Sequence, residues 1–323
     1  MFARLGQRLL TGIAVVLGVV ILTFLLLHVA PGDPVRLMLG PTATAEQLAA
    51  QRRALDLDRP LPSQFASWVG RFARGDWGTS IAKGRPVRAV LGAAWPATVR
   101  LVALSLLLSY LLGLAVGVVQ AARSGSRTDT LLSVTSVTLF AIPGYWLALM
   151  LVLVFTYWAR LLPAFGAAGF DSDFLTGGAF IADRLRHLIL PLATLTVIGI
   201  GGVARFVRGA MLDTLHQPFI TTARAKGLAQ GRVIGRHALR NALTPIVILL
   251  GLSLPALFSG AVFVEAVFAW PGVGRVLVEA VQARDYPVVM AATAVSAVLV
   301  VAGNMLADLL AAWLDPRVRS AAT

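Results

Sequence analysis

The chain contains no cysteine and only two lysines, Lys83 and Lys226, in 323 residues. Without cysteine there are no disulfides, thiolate metal sites or cysteine nucleophiles, and the compartment stays open on that count. Neither lysine stands in a G-x-x-x-x-G-K-[ST] loop. The chain therefore has no Walker A cradle, and any ATP that drives it must be bound by another polypeptide. The patterns H-E-x-x-H and G-x-S-x-G are missing, and the four histidines, His28, His187, His216 and His237, are scattered. That argues against a metal or hydrolytic centre. Charge is scarce as well: 13% of residues are charged and 58% hydrophobic, with a mean hydropathy of +0.81. A soluble domain carries about 25% charged residues. The class is a polytopic membrane protein. The net charge of +13 reflects arginines that face anionic lipid and set orientation, not a nucleic-acid surface.

Six apolar runs are long enough to cross a bilayer: Leu9–Val29, about Ala97–Ala122, Leu131–Ala159, about Leu188–Val207, Thr244–Ala269 and Pro287–Leu314. The first follows Arg4 and Arg8, is too long for a signal-peptide core, and reads as a retained span. The third is long enough to tilt, or to break at Pro143. Six spans place both termini on one side. That side collects Arg4, Arg8, Arg123, Arg127, seven basic residues of a central loop, Arg317 and Arg319 against Asp129, Asp213 and Asp315. The short loops opposite balance: Arg160, Arg184, Arg186, Arg275 and Arg284 face Asp171, Asp173, Asp183, Glu279 and Asp285. The positive-inside rule puts both termini and the central loop in the cytoplasm. The outer segment 30–96 carries nine basic and five acidic residues, but loops longer than about 60 residues translocate largely regardless of charge.

That outer segment reads as a small helical layer. Thr44 and Gln47 fit a capping box opening a helix through Leu55. Phe65, Trp68, Val69 and Phe72 fall on one helical face. Gly75-Asp76-Trp77-Gly78 is a turn, and Arg85-Pro86 opens another short helix.

The stretch from Arg205 to Pro245 departs most from hydrocarbon. It carries Arg205, Arg208, Arg224, Lys226, Arg232, Arg236 and Arg240, with Asp213 as the only acid. Pro218 is placed to start a short helix and Gly227 to end it with a left-handed residue. A second helical segment, with Val233, Ile234 and Ala238 at helical spacing, leads to Pro245. Two readings stay open: a basic loop that anchors to lipid, or a lever that a docked partner moves. Ionisable residues inside the spans, Arg100, Glu265 and Asp308, lie near span ends and read as snorkelling or capping, which weakens an ion-coupled carrier. Gly113 and Gly117 form G-x-x-x-G, and Gly199, Gly201 and Gly202 cluster in the fourth run. They permit close helix approach, within the chain or to a second subunit. Pro143, Pro191 and Pro255 are candidate breaks around a pathway.

Thr222-Ala223-Arg224-Ala225-Lys226-Gly227-Leu228 and Arg236-His237-Ala238-Leu239-Arg240-Asn241-Ala242-Leu243-Thr244-Pro245 resemble the coupling-loop signature of one permease family. It is the dipeptide/oligopeptide/nickel branch of bacterial ABC importer permeases. Further pieces carry the same resemblance: Gly260 to Glu265, Phe268 to Gly274, Arg284-Asp285-Tyr286-Pro287, Leu314 to Arg319, Pro31 to Val35, Leu57 to Pro60, and Gly75 to Ser80. Together they cover nearly the whole chain. In place of the Glu-Ala-Ala of the general signature stands Thr221-Thr222-Ala223, so Arg224 and Lys226 call for an acidic counterpart.

The resemblance implies an all-α polytopic membrane protein of six transmembrane helices, with a type I ABC importer permease (MetI-like) core. A small extracytoplasmic helical segment follows the first helix. Domain limits are then 1–96 for the first helix and outer segment, 97–314 for the core with a coupling loop at 208–243, and 315–323 for a cytoplasmic tail. Thr221, Thr222, Ala223, Arg224, Ala225, Lys226 and Gly227 would couple to an ATPase subunit. Glu265, Trp270, Pro271 and Gly272 would form an outer gate or serve packing. No catalytic or metal residue is implied, and ATP and Mg would belong to the partners. Those partners would be a homologous second permease subunit, two ATP-binding subunits, an extracytoplasmic substrate-binding protein and membrane lipid. The cargo would be di- or oligopeptides, or else nickel, metal chelates or glutathione. The location would be the bacterial inner membrane. A stand-alone channel or secondary carrier is the reading from another class.

Overall fold

A computed structural model describes residues 2–29, 35, 39, 40, 42–54, 58–256 and 261–314. The expected tail 315–323, residues 31–34 of the Pro31–Val35 motif, Leu55, Leu57 and Gly260 lie outside the described residues. The described residues form no strand, only one isolated bridge between Thr79 and Pro86. The helices are α1 (Phe2–Val29), α2 (Ala45–Ala54), α3 (Leu61–Ala73), α4 (Val87–Ala122), α5 (Arg127–Ala141) and α6 (Gly144–Val152, continued as a π-turn to Trp158). They continue with α7 (Gly177–Leu215), α8 (Pro218–Ala225), α9 (Gln230–Ser253, π-wound at Val233–Ala238), α10 (Val262–Val267), α11 (Val273–Gln282) and α12 (Tyr286–Leu314).

Five helices are long and apolar enough to span a membrane, and six spans result when α5 and α6 count as one, bent by 96°. The break falls at Pro143, where Ile142 takes the extended backbone that a following proline favours. Three expectations change. Pro86 opens no separate short helix; its carbonyl accepts from Ala89 and Val90 at 3.0 and 3.1 Å and the helix runs on through Pro96. The run Thr244–Ala269 is not one helix: its first part belongs to α9, which passes through Pro245, and its last part holds the separate α10. Arg205 and Arg208 do not stand in a loop, because α7 continues to Leu215. Hydropathy missed these bounds because backbone hydrogen bonding carries a helix past the apolar stretch that reveals it.

One compact unit comprises residues 1–97 and 271–301. Thr44 and Gln47 make the expected reciprocal cap, Gln47 Oε1 accepting from the Thr44 amide at 2.9 Å and Thr44 Oγ1 from the Gln47 amide at 3.3 Å. The aromatic face of α3 meets α1 edge-on, with Phe24 and Phe65 rings 5.3 Å apart; Trp68, Phe72 and Trp77 stack in sequence. Val20 and Phe24 of α1 pack with Met290 and Ala294 of α12. Gly75 and Gly78 take positive φ in the expected turn. The chain after it is pinned at Asp285, which accepts from the Ser80 hydroxyl and the Ala82 amide. Lys83 and Arg275 both reach Glu279, at 3.1 and 2.7 Å. Burial pushes the Glu279 carboxyl up, but hydrogen bonds from Lys83 and Arg275 and their charges together hold it below its ordinary value.

The other unit comprises residues 98–270 and 302–323, and α7 is its axis. A Cβ on Gly117 would lie 2.6 Å from Val207 Cβ and 2.7 Å from the Ala204 carbonyl; one on Gly113 would lie 2.7 Å from Val203. The G-x-x-x-G is therefore used within the chain, against α7. On its other side Gly201 fits α5 equally closely, at 2.5 Å from the Ser136 carbonyl. Gly251 and Gly303 likewise admit Ala307 and Pro255 where α9 meets α12.

Gly117→Leu should leave the spans inserted but separate α4 from α7, since the obstructing atoms include backbone. The expected cost is about 1–3 kcal/mol, read as a lower midpoint of thermal aggregation in detergent. Gly92→Ala, on the same helix with nothing within 4 Å of its added Cβ, should leave that midpoint unchanged or raise it. Equal midpoints for Gly117→Leu and the wild type would contradict the packing.

Candidate functional site

Two features of the second unit carry chemistry. The first is the segment between α7 and α9. Gln217 is the extended N-cap of α8, and Pro218 occupies the first turn. The helix ends at Ala225, with Lys226 as its C-cap. Gly227 follows at φ 75°. Its amide donates to the Arg224 carbonyl at 2.9 Å and the Leu228 amide to the Ala223 carbonyl at 3.4 Å. This is a Schellman closure, in which the left-handed residue lets the chain satisfy the last carbonyls and turn away.

Ile220 and Ala223 are buried and join Val207, Met211, Val233, Ala238 and Ala242 in one cluster. Burying the isoleucine alone is worth about 1.5–3 kcal/mol, so α8 is seated on α7 and α9 and does not swing freely. Of the seven residues expected to face a partner, Thr221, Thr222, Arg224, Ala225, Lys226 and Gly227 are exposed. Ala223 is not; it belongs to the seat. Phe219, outside the expected set, is 42% exposed. Arg232, Arg236 and Arg240 form an exposed stripe along α9. Among the described residues, none of these three, nor Arg224 or Lys226, makes an ion pair.

The second feature is a cavity of about 660 Å³ between α4, α5, α7 and α9. Its polar lining includes Tyr110, whose hydroxyl shares a 2.8 Å hydrogen bond with Ser253 Oγ. Arg205 lines it too, its guanidinium 5.2 Å from the Phe140 ring centroid. One turn on, Arg208 is spent differently: it donates to both carboxylate oxygens of buried Asp129 at 2.8 Å. Asp129 also accepts from the Gly125 amide and Ser133 hydroxyl, so α5 and α7 are tied by a satisfied network.

Glu265 corrects the expectation of a span-end cap. It is fully buried, and Thr98 donates to its carboxylate at 2.8 Å. Trp270 is buried and its amide donates to the Glu265 carbonyl at 2.9 Å. Pro271 is exposed, and Gly272 is the extended N-cap of α11. Arg100 lies well inside α4, not near its end. Among the described residues no group of three His, Cys, Asp or Glu side chains could hold a metal ion.

The sequence reading missed Arg205 as a cavity residue by counting it with the loop. The available signal was Gly199 to Gly202 before it and Phe206-Val207 after it, which continue a helical face.

Residues 109–320 match the model of the binding-protein-dependent transport system inner membrane component. Residues 1–102 match the N-terminal model of the membrane component of the same systems. The chain is 40% identical to an oligopeptide transport system permease protein of Bacillus subtilis, over 98% of this chain and 99% of that protein. It is 39% identical to a probable D,D-dipeptide transport system permease protein of Escherichia coli, over 97% and 96%. It is 36% identical to a glutathione transport system permease protein of Salmonella paratyphi A, over 97% of each. With the two models together matching nearly the whole chain and relatives aligned over nearly their full length, this chain belongs to the family of inner-membrane components of binding-protein-dependent transport systems.

Proposed function

We propose that the chain is the permease subunit of an ATP-driven peptide importer and forms half of its translocation pathway. A homologous second permease subunit completes the pathway, two ATP-binding subunits supply ATP and Mg, and an extracytoplasmic binding protein delivers the peptide. The observation that carries the coupling reading is α8: a helix seated by Ile220 and Ala223, closed by Gly227, with Thr221, Thr222, Arg224 and Lys226 turned outward. A partner pushing on that face moves α7 and α9 together. An acidic rim on the ATP-binding subunit is the complement that Arg224 and Lys226 require. Glu265, Trp270 and Gly272 are assigned to packing, since all three are buried.

Gly227→Val tests this. Nothing lies within 4 Å of a Cβ there, so the cost is one of backbone conformation: positive φ is strongly disfavoured for a β-branched residue. The expected result is normal membrane abundance with uptake and substrate-stimulated ATP hydrolysis reduced at least about tenfold, a milder loss for Gly227→Ala, and little change for the pair Arg232→Gln and Arg236→Gln. A lipid-anchoring loop predicts the reverse order. Full transport by Gly227→Val would sink the coupling assignment.

In the proposed orientation, which rests on the positive-inside rule, both termini and α8 lie in the cytoplasm. Since the chain has no native cysteine, a single cysteine at Gln230 should be labelled by a membrane-impermeant maleimide only from the cytoplasmic face, and one at Ala50 only from outside. Labelling on opposite faces would invert the mechanism.

Energy comes from the partners. The purified chain alone should show no nucleotide binding and no ATP hydrolysis, and both should appear on reconstitution with the ATP-binding subunits. ATPase activity that persists in the single chain after removal of all co-purifying protein would contradict the assignment.

A further inference from the structure

The cavity between α4, α5, α7 and α9 is lined by Val102, Leu195, Leu249 and similar apolar side chains, with few polar groups. Among its lining residues there is no Asp or Glu, and the one charged side chain is Arg205. Arg205 and Arg208 of α7 differ by one helical turn and by their chemistry. Arg208 is consumed by a bidentate pair with Asp129. Arg205 makes no hydrogen bond or ion pair among the described residues, and the only partner of its guanidinium is the face of Phe140. A stacked guanidinium is held in place through its π face, while the N–H donors at its edge stay available. An ionised side chain inside a span that lacks a counter-ion is costly unless it serves a ligand or a water-filled path. The Tyr110–Ser253 hydroxyl pair stands on the same cavity wall, and each hydroxyl can redirect to a peptide N–H or C=O.

We propose that this cavity is a subsite for the terminal carboxylate of the transported peptide, with Arg205 as its counter-ion. The assignment rests on the peptide-importer reading. A planar guanidinium accommodates a carboxylate through two parallel N–H donors. The absence of an acid among the lining residues leaves the peptide ammonium without a partner here, so the cavity reads one end of the peptide. The cavity volume of about 660 Å³ fits a small ligand, within the roughly 300–1,000 Å³ of ordinary ligand pockets. Arg205 is exposed in the single chain, so its edge N–H donors are accessible to a ligand in the cavity.

The test uses the complete complex of this chain with its partner permease and ATP-binding subunits in nanodiscs. Equilibrium binding of a radiolabelled dipeptide is compared with that of its C-terminal amide, without the binding protein. In parallel, uptake of the free-acid dipeptide is measured in proteoliposomes with the binding protein present. The wild-type complex should bind the acid about tenfold more tightly than the amide, the gain of one charge-assisted pair. Arg205→Gln should bring the acid-to-amide ratio to near one, and Arg205→Lys should keep most of it. Co-purification of all subunits controls for assembly. Ser253→Asp, with Arg205 intact, is the second variant: an acid in the same cavity should also lower the ratio. A wild-type ratio near one, no measurable binding, or ratios unchanged in both Arg205→Gln and Ser253→Asp would overturn the subsite. Occupation of Arg205 by an acid of the partner permease would appear as such an unchanged, low ratio. Absence of any wild-type peptide uptake would instead remove the peptide-importer reading itself.

Discussion

The close approach of α7 to its neighbours is the constraint on which the second unit depends. Helices in lipid gain little from hiding apolar surface, because the surrounding chains are just as apolar; they associate through dispersion contacts and polar pairs. Dispersion falls away steeply with separation, so backbones must come near. Gly113 and Gly117 let α4 meet Val203, Ala204 and Val207, and Gly201 lets α5 meet the same helix from another side. Asp129 and Arg208 then lock α5 to α7 with two charge-assisted hydrogen bonds at 2.8 Å each. The cavity is what these contacts leave open, and its shape follows from the glycines as much as from the residues that line it.

The same axis carries the projecting helix. Val207 and Met211 near the end of α7 belong to the cluster that buries Ile220 and Ala223. Val233, Ala238 and Ala242 supply the other side from α9. One apolar seat thus joins the end of one span to the start of the next through α8. In the proposed mechanism this is why a contact at Thr222 or Lys226 is felt at the cavity: Phe206 and Arg205 sit about one and a half turns before Met211 on the same helix. The packing at Ala223 also explains a small residue in the middle of an otherwise outward-facing motif.

Much of this was legible in the residues. The cap at Thr44 and Gln47, the aromatic face of α3, the glycine turn after it, the break at Pro143 and the start of α8 at Pro218 each follow from local chemistry over a few positions. Gly227 was legible for the same reason, since a helix that must stop and turn there needs a left-handed residue. Span limits were less legible. Pro86 does stand at a helix start, but the helix it opens is α4, which runs on from Val87 through Pro96, because neighbouring groups in a membrane protein can satisfy what a proline leaves unpaired.

By itself the sequence determined the class and the family, because composition, run length and motif spacing are properties of the chain taken in order. It also determined that this polypeptide carries no Walker A loop. Only the tertiary structure decided how two arginines three residues apart on α7 are used. Asp129 lies 79 positions away from Arg208, and Phe140 is also far from Arg205 in the chain. Pairing and stacking across such distances depend on which faces of α5 and α7 meet, and that is set by packing of glycines against backbone. Glu265 shows the same limit: its position near a span end read as a surface cap, whereas the fold encloses it and gives it the hydroxyl of Thr98.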